Sequence, residues 1–232
     1  ALYLNTTGDK NTASGSKALY HNTTGDENTA HGYKSLYDNT TGSYNTASGR
    51  ESLYENTTGS NNTAFGFRSL YNNTTGSNNT ASGYFSLYKN TTGVNNTAFG
   101  YGTLYYNTTG SQNTAFGHSA MASTDNATNQ TVIGYEATGQ ADNSVVLGND
   151  DVTAVYMGED SGATVYAASF VGDGSQLTGI TGSASSLNDL TDVLVDSNSM
   201  FLSNPPTNST GGYNTASGRN SLNSNTTGDT NT

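Results

Sequence analysis

Apolar residues occur along the chain as short islands, a Leu-Tyr pair followed by a lone Ala, which are separated by runs of Asn, Thr, Ser and Gly. The islands recur every 17 residues in the unit (A/S/T)-L-Y-x-N-T-T-G-x-x-N-T-A-x-G-x-x. This unit starts at Ala1, Ala18, Ser35, Ser52, Ser69, Ser86 and Thr103. A unit this short cannot bury a core alone, so the fixed period indicates stacked coils that bury one another. We number the positions within a coil from 1 to 17.

Each coil predicts two short strands, one at Leu-Tyr and one at Thr-Ala-x, joined by two turns. Helix is disfavoured because every unit contains two glycines and several Asn and Thr residues, which are weak helix formers. The glycine after N-T-T, like the second glycine of the unit, is expected to occupy a turn corner with positive φ. The N-T-T glycines are Gly8, Gly25, Gly42, Gly59, Gly76, Gly93 and Gly110. The fold class predicted is all-β, a parallel β-solenoid or β-roll with 17-residue coils.

The regularity of the period divides the chain into three parts. Residues 1–136 hold eight units, of which the last is degenerate, residues 137–203 form an acidic, β-rich insert without the repeat, and residues 204–232 return to the repeat. The final unit stops at its twelfth position, Thr232. Because unpaired strand edges template further pairing, we expect the array to continue head-to-tail into neighbouring subunits.

Two asparagines per coil predict ladders of side-chain amides. Stacking at the strand spacing of about 4.8 Å places identical positions above one another, and an amide can donate to one neighbour while it accepts from the other. The first expected ladder contains Asn5, Asn22, Asn39, Asn56, Asn73, Asn90 and Asn107. The second contains Asn11, Asn28, Asn45, Asn62, Asn79, Asn96 and Asn113.

The apolar content of each coil is small, since it offers one Leu, one Tyr, one Ala and in some coils a Phe. Such a core barely offsets the entropy cost of ordering 17 residues, so we expect the chain to self-associate, most simply as a parallel trimer. The candidates for the chain–chain interface are Tyr3, Tyr20, Tyr37, Tyr54, Tyr71, Tyr88 and Tyr105. A second aromatic row at coil position 16, which includes Tyr84 and Tyr101, is expected either to seal such an interface or to bind sugars.

Composition adds limits to this picture. Hydrophobic residues make up 31% of the 232-residue chain, a content that alone would fit disorder, but the strict period favours an ordered solenoid. The net charge of −11 lies in residues 120–203, which hold all eleven excess acidic residues and no Lys or Arg. An acidic segment of this kind disfavours nucleic acid as a partner. No apolar stretch approaches the length of a membrane span.

Catalytic patterns are missing from the sequence. His21, His31 and His118 fall at three different coil positions, and the chain has no Cys, phosphate-binding loop or His-x-x-x-His pair, so we do not expect an enzyme. No cofactor is predicted. Each N-T-T triplet matches the N-glycosylation pattern, but a glycan would disrupt a stacked Asn ladder.

Calcium is the metal that the acidic segment would suit best. Carboxylate oxygens in turns are the ligands that calcium prefers. The weak candidates are Asp142, Asp150, Asp151, Asp160 and Asp173. Because no EF-hand or repeated calcium motif accompanies them, a solvated acidic surface is the alternative.

The chain resembles known repetitive fibre proteins. The N-T-A-x-G motif and the N-S-V-V-L-G stretch at Asn143–Gly148 are similar to the repeats of YadA-like heads in trimeric autotransporter adhesins. The S-L-Y-x-N-T-T-G array and the turn-rich stretch at Phe170–Gly179 are similar to repeat regions of bacterial surface fibres and phage tail fibres. This resemblance implies left-handed winding, a trimer and an extracellular, cell-surface or virion fibre.

Function is therefore expected to be structural, with stacked coils that set the length and stiffness of an extracellular filament. The alternative is an adhesin head or tail-fibre module that binds surface glycans. Ice binding by rows of Thr is a further alternative, which is disfavoured because the adjacent threonines of N-T-T point to opposite faces.

Overall fold

The computed structural model of the protein describes residues 1–155. These residues form a single parallel sheet of nine three-residue strands, whose spatial order is the same as their order in the chain. The strands are β1 Thr12–Ser14, β2 Thr29–His31, β3 Thr46–Ser48, β4 Thr63–Phe65, β5 Thr80–Ser82, β6 Thr97–Phe99, β7 Thr114–Phe116, β8 Thr131–Ile133 and β9 Val145–Leu147. No helix among the described residues is long and apolar enough to cross a membrane.

Register follows the sequence period. Thr12 pairs with Thr29 and Ala13 with Ala30, and the same 17-residue offset holds through β8. The predicted all-β, parallel β-solenoid is confirmed, with about eight coils. The handedness of the winding stays a prediction.

The prediction of two strands per coil is wrong. Only the Thr-Ala-x segment is a strand, and the Leu-Tyr segment forms a turn instead. The cause is the backbone of the Leu at coil position 2, which is left-handed, with φ of 50° at Leu53 and 51° at Leu70. This conformation costs a non-glycine residue about 1–2 kcal/mol, and it removes Leu from a β ladder. Coil positions 10 and 17 are also left-handed, so each of the first seven coils turns at three such corners.

The core consists of three buried columns that run along the stack. Leu at position 2 and Ala at position 13 are fully buried from the second coil onward, as in Leu36 and Ala47. The small residue at position 1 is buried as well, and the hydroxyl of Ser35 donates a hydrogen bond to the carbonyl oxygen of Gly32 at 3.1 Å. The cost of this left-handed backbone is offset because the Leu side chain is buried and its N–H donates to the next coil. The N–H of Leu36, for example, donates to the carbonyl oxygen of Ser52 at 3.0 Å.

Coil length changes near the predicted end of the array at residue 136. The register between β8 and β9 joins Thr131 to Val145, an offset of 14 residues, and the parallel sheet continues across this point. Residues 156–203 of the predicted insert and the predicted returning units at 204–232 lie outside the described residues. The three-part division of the chain therefore stays a prediction.

Candidate functional site

The asparagines at coil position 5 form a continuous chain of hydrogen bonds inside the stack. Nδ2 of Asn39 donates to Oδ1 of Asn22 in the preceding coil at 2.7 Å and to the carbonyl oxygen of Gly42 in its own coil at 2.8 Å. The same pair of bonds recurs in every coil from Asn22 to Asn107. These side chains are buried, so each amide replaces its lost water contacts with fixed protein contacts.

The asparagines at coil position 11 form a second chain of bonds, which uses the backbone as well. The backbone N–H of Asn62 donates to Oδ1 of Asn45 at 3.0 Å, and its Nδ2 donates to the carbonyl oxygen of Gly76 in the next coil at 2.9 Å. The Gly76 carbonyl oxygen also accepts from Nδ2 of Asn73 at 2.9 Å. The carbonyl of the N-T-T glycine is therefore the point at which the two ladders are joined.

The N-T-T glycines, Gly8 to Gly110, were expected at positive φ, and this expectation is wrong. Their φ angles lie outside the left-handed region, whereas the second glycine of each coil has positive φ, for example 142° at Gly49. Space explains the N-T-T glycines instead. A Cβ on Gly59 would lie 2.5 Å from Oδ1 of Asn56 and would collide with the carbonyl oxygen of Gly76. Only glycine lets the coils approach closely enough for both ladders to form.

The bend at N-T-T is tied to the next coil by convergent donors. The backbone N–H groups of Thr23 and Thr24 both donate to the carbonyl oxygen of Thr40, at 2.9 and 3.1 Å, and the Thr23 hydroxyl donates to the same oxygen at 2.9 Å. The first threonine of the triplet is thus structural. The second threonine is exposed along the array. Sequence reasoning missed this division, although the fixed N-T-T spelling was its signal.

The degenerate eighth coil ends both ladders without leaving a buried side chain unpaired. Position 5 is Thr124 there, and Nδ2 of Asn113 donates across to Oδ1 of Asn107 at 3.3 Å. Gln130 replaces Asn at position 11, and its Nε2 donates to the Ser123 hydroxyl at 2.6 Å. Among the described residues, no buried side-chain nitrogen or oxygen lacks a hydrogen-bond partner.

The tyrosines at coil position 3, proposed above as interface candidates, stack on one another within the chain. Neighbouring rings from Tyr3 to Tyr105 are nearly parallel, with centroids 4.9–5.4 Å apart. All but Tyr3 are half-buried by this stacking, and burial raises the pKa of the Tyr71 and Tyr105 hydroxyls above its ordinary value. The row therefore stabilises the single chain, and its role between chains stays a prediction.

Cations lie against this row in the early coils. Nζ of Lys34 is 5.3 Å from the ring centroids of both Tyr37 and Tyr54, and the Arg68 guanidinium is 5.2 Å from that of Tyr71. At such distances a cation is attracted to the ring. The tyrosine row therefore has positive charge beside its rings in these coils.

One carboxylate in the array, Glu51, is buried between two arginines. Its two oxygens accept from Nε of Arg68 at 2.6 Å and from Nε of Arg50 at 3.3 Å. Burial alone would raise the pKa of Glu51, but the bonds and charges of Arg68 and Arg50 outweigh burial and hold the pKa below its ordinary value. Glu51 is thus kept ionised as a link between coils.

The calcium candidates are only partly within the described chain. Asp160 and Asp173 lie outside it. Oδ1 of Asp142 accepts from the backbone N–H of Thr128 at 2.8 Å, so this carboxylate already has a structural use. Asp150 and Asp151 line an open cleft near β9, yet within residues 1–155 no three His, Asp or Glu side chains come together as metal ligands. Calcium binding by these residues stays a prediction.

The three histidines occupy different environments. Nδ1 of His21 lies 2.7 Å from a carboxylate oxygen of Asp38, His31 is in the exposed row at coil position 14, and His118 stacks between Tyr101 and Tyr135. Each therefore contributes to its own side-chain row.

Comparisons with known proteins add no relative to this description. No protein-family profile matches the chain, and no curated protein and no solved structure is significantly similar to it.

Proposed function

We propose that this protein is a structural subunit of an extracellular fibre, in which stacked coils set the length and stiffness of a rod. The observation that carries this proposal is the in-register repetition of the same contacts from coil to coil. Each coil presents to its neighbour the same Asn amides, Thr carbonyls and strand residues. Coils that are bonded only to the coils before and after them extend in one dimension.

The same repetition supports head-to-tail continuation between subunits. Among the first seven coils, one surface of a coil is complementary to the opposite surface of any other, because the ladders and the strand register repeat without change. Coils of two chains would therefore make the contacts that coils of one chain make. The resemblance to surface and tail fibres supports an extracellular setting.

Glycan binding is the second candidate, and it is supported by exposed aromatic side chains such as Tyr44 and Tyr106. A sugar ring usually stacks on the open face of an aromatic ring. In the long aromatic rows those faces are covered by neighbouring rings. We therefore rank the structural function first, and binding to a glycan array would reverse that order.

Electron microscopy of the purified full chain tests the structural function. One chain that advances 17 residues per roughly 4.8 Å has about 3.7 kDa per nm, and about three times this value is expected for the trimer that the resemblance implies. We expect rods with an axial repeat near 4.8 Å. Compact particles without that repeat would refute the proposal.

Matched variants make the test specific to the ladders. The double substitution Asn45→Ala and Asn62→Ala interrupts the second ladder in consecutive coils and is expected to abolish the rods. The control variant, Asn61→Ala with Asn78→Ala, changes two exposed asparagines that make no side-chain hydrogen bond in the described chain. This variant should still form rods. Rods that survive the first pair unchanged would contradict the role of the ladder.

A further inference from the structure

The later coils carry an aromatic face that the other residues of the described range 1–155 leave exposed. It consists of residues at coil positions 14 and 16, one glycine apart, and we call it the aromatic face. Its members, with their exposed fractions, are Tyr84 (44%), Phe99 (40%), Tyr101 (50%), Phe116 (41%), Ile133 (42%) and Tyr135 (61%). The face belongs to a different row from the half-buried tyrosines at position 3.

We infer that the aromatic face is a lateral docking surface for a second copy of this chain. The inference builds on the proposed rod function, since it names the partner that lies beside the rod. It concerns contacts between rods, whereas the ladders concern contacts along a rod. An experiment can therefore refute the docking surface without refuting the rod function, and the reverse.

The exposed area fits an interface of this kind. An aromatic side chain buries 150–250 Å² when it is fully covered, so the exposed fractions leave roughly 400–700 Å² on the six side chains together. A stable interface takes about 800 Å² from each partner, and homodimer interfaces are about 65% apolar, which requires roughly 520 Å² of apolar surface. That amount lies within the range that the aromatic face offers.

Charge separates this face from the rest of the array. Positions 16 and 17 carry Lys17, Lys34, Arg50, Glu51 and Arg68 in the first four coils. From residue 69 to residue 136, positions 14, 16 and 17 carry only one Asp, Glu, Lys or Arg, namely Glu136 beside Tyr135 at the end of the face. Charged residues are depleted at the centre of protein interfaces because their desolvation is costly. The contact is therefore placed on the later coils, and the early coils stay hydrated.

Ring orientation favours another copy over a carbohydrate. The rings of Tyr84 and Tyr101 are stacked at 5.3 Å with planes 6° apart, and those of Phe99 and Phe116 at 5.2 Å with planes 3° apart. Only ring edges thus point outward. A surface of edges repeated at about the strand spacing is matched by a surface with the same period, whose side chains fit the grooves between successive rings. A second copy of the chain has the same period because it has the same sequence.

Sedimentation velocity of the full chain, up to about 100 µM, tests the inference. The test variant combines Phe99→Ser, Tyr101→Ser and Phe116→Ser. The array itself places Ser at these coil positions in Ser16 and Ser48, so the coils should still fold. Three aromatic anchors at an interface are together worth at least about a hundredfold in dissociation constant. We expect the wild type to sediment as laterally associated rods and the variant to sediment as single rods, with an unchanged circular dichroism spectrum.

The matched control is Tyr44→Ser with Tyr106→Ser, which removes two exposed tyrosines outside the aromatic face and should leave association unchanged. Tyr84→Arg provides a second test, because it introduces at position 16 the residue that Arg50 supplies in an early coil, and it should also weaken association. A wild type that forms only single rods, without lateral association, would overturn the docking surface and leave the rod function standing. Equal loss of association in the control would overturn it too.

Discussion

Removing one ladder amide from the middle of the array is the most direct test of what stabilises the stack. Asn62→Ala deletes four hydrogen bonds at once. Its Nδ2 donates to Oδ1 of Asn45 at 3.2 Å and to the Gly76 carbonyl oxygen at 2.9 Å. Its Oδ1 accepts from both the backbone N–H and Nδ2 of Asn79, at 3.0 and 3.2 Å.

The expected cost follows from these four bonds. A typical intramolecular hydrogen bond contributes about 0.5–1.5 kcal/mol net, and leaving a buried partner unpaired costs about 1–3 kcal/mol. Asn45, Asn62 and Asn79 are all fully buried, so water does not replace the lost partner. We expect Asn62→Ala to lower the free energy of unfolding by about 3–5 kcal/mol, a large part of the 5–15 kcal/mol typical of a domain.

Urea unfolding followed by far-UV circular dichroism measures this change, and the midpoint should fall by about 1–2 M. The adjacent residue provides the control. Asn61 is exposed and makes no side-chain hydrogen bond within the described residues, so Asn61→Ala should cost at most about 1 kcal/mol, which reflects its left-handed φ of 59°. Similar losses for the two neighbours would refute the ladder as a source of stability.

Three further results are expected. Gly59→Ala should lower the free energy of unfolding in urea by about 3 kcal/mol, because its Cβ would collide with the neighbouring coil. Gly102→Ala, whose Cβ meets only a hydroxyl at 3.7 Å, should cost about 1–2 kcal/mol, which reflects only its left-handed φ of 59°. Equal costs would contradict the steric explanation. Because the folded pKa of Glu51 is lowered, its contribution to stability is present above pH 4.5 and is lost as pH falls through the folded pKa. Glu51→Gln should therefore reduce the loss of folding free energy at acid pH by about 1 kcal/mol, measured by thermal melts at several pH values. An unchanged dependence of stability on acid pH would disprove the role of the Glu51 carboxylate as a link between coils. An N-glycosyltransferase with its sugar donor should modify Asn56 only after unfolding, since Nδ2 is buried and donates two bonds; mass spectrometry that finds the glycan on folded protein would exclude this.

Much of the fold follows from the period alone. An exact repeat forces equal positions to stack, so the parallel register and the vertical alignment of the asparagines follow from counting residues. The Leu-Tyr strand fails for a local reason. Leu and Tyr favour strands on average, but burying Leu53 inside a short coil requires a corner at that residue, and stacking overrides the average preference.

The surface was harder to predict than the interior. A tyrosine present in each of the first seven coils indicates a common function, and position 3 was therefore the expected interface. In the structure the rings of Tyr54 and Tyr71 cover each other by stacking, with centroids 5.0 Å apart, whereas the side chains at the more variable positions 14 and 16 are exposed. Sequence alone does not show how much of a ring its own neighbours cover, because that depends on the side-chain direction at a turn.

The polar interior explains how the surface can vary without loss of the rod. A core of Leu and Ala alone would tolerate a shift in register, because apolar contacts are not directional. Two buried amides per coil do not tolerate it, since a shift by one residue leaves donors and acceptors unpaired at a cost of about 1–3 kcal/mol each. The ladders therefore fix the first seven coils to one another at positions 5 and 11, as in Asn56 and Asn62. Positions 14 and 16 take no part in those bonds. Ser, Phe, Tyr or Arg at these positions therefore changes the chemistry of the rod surface and leaves the stacking of the coils intact.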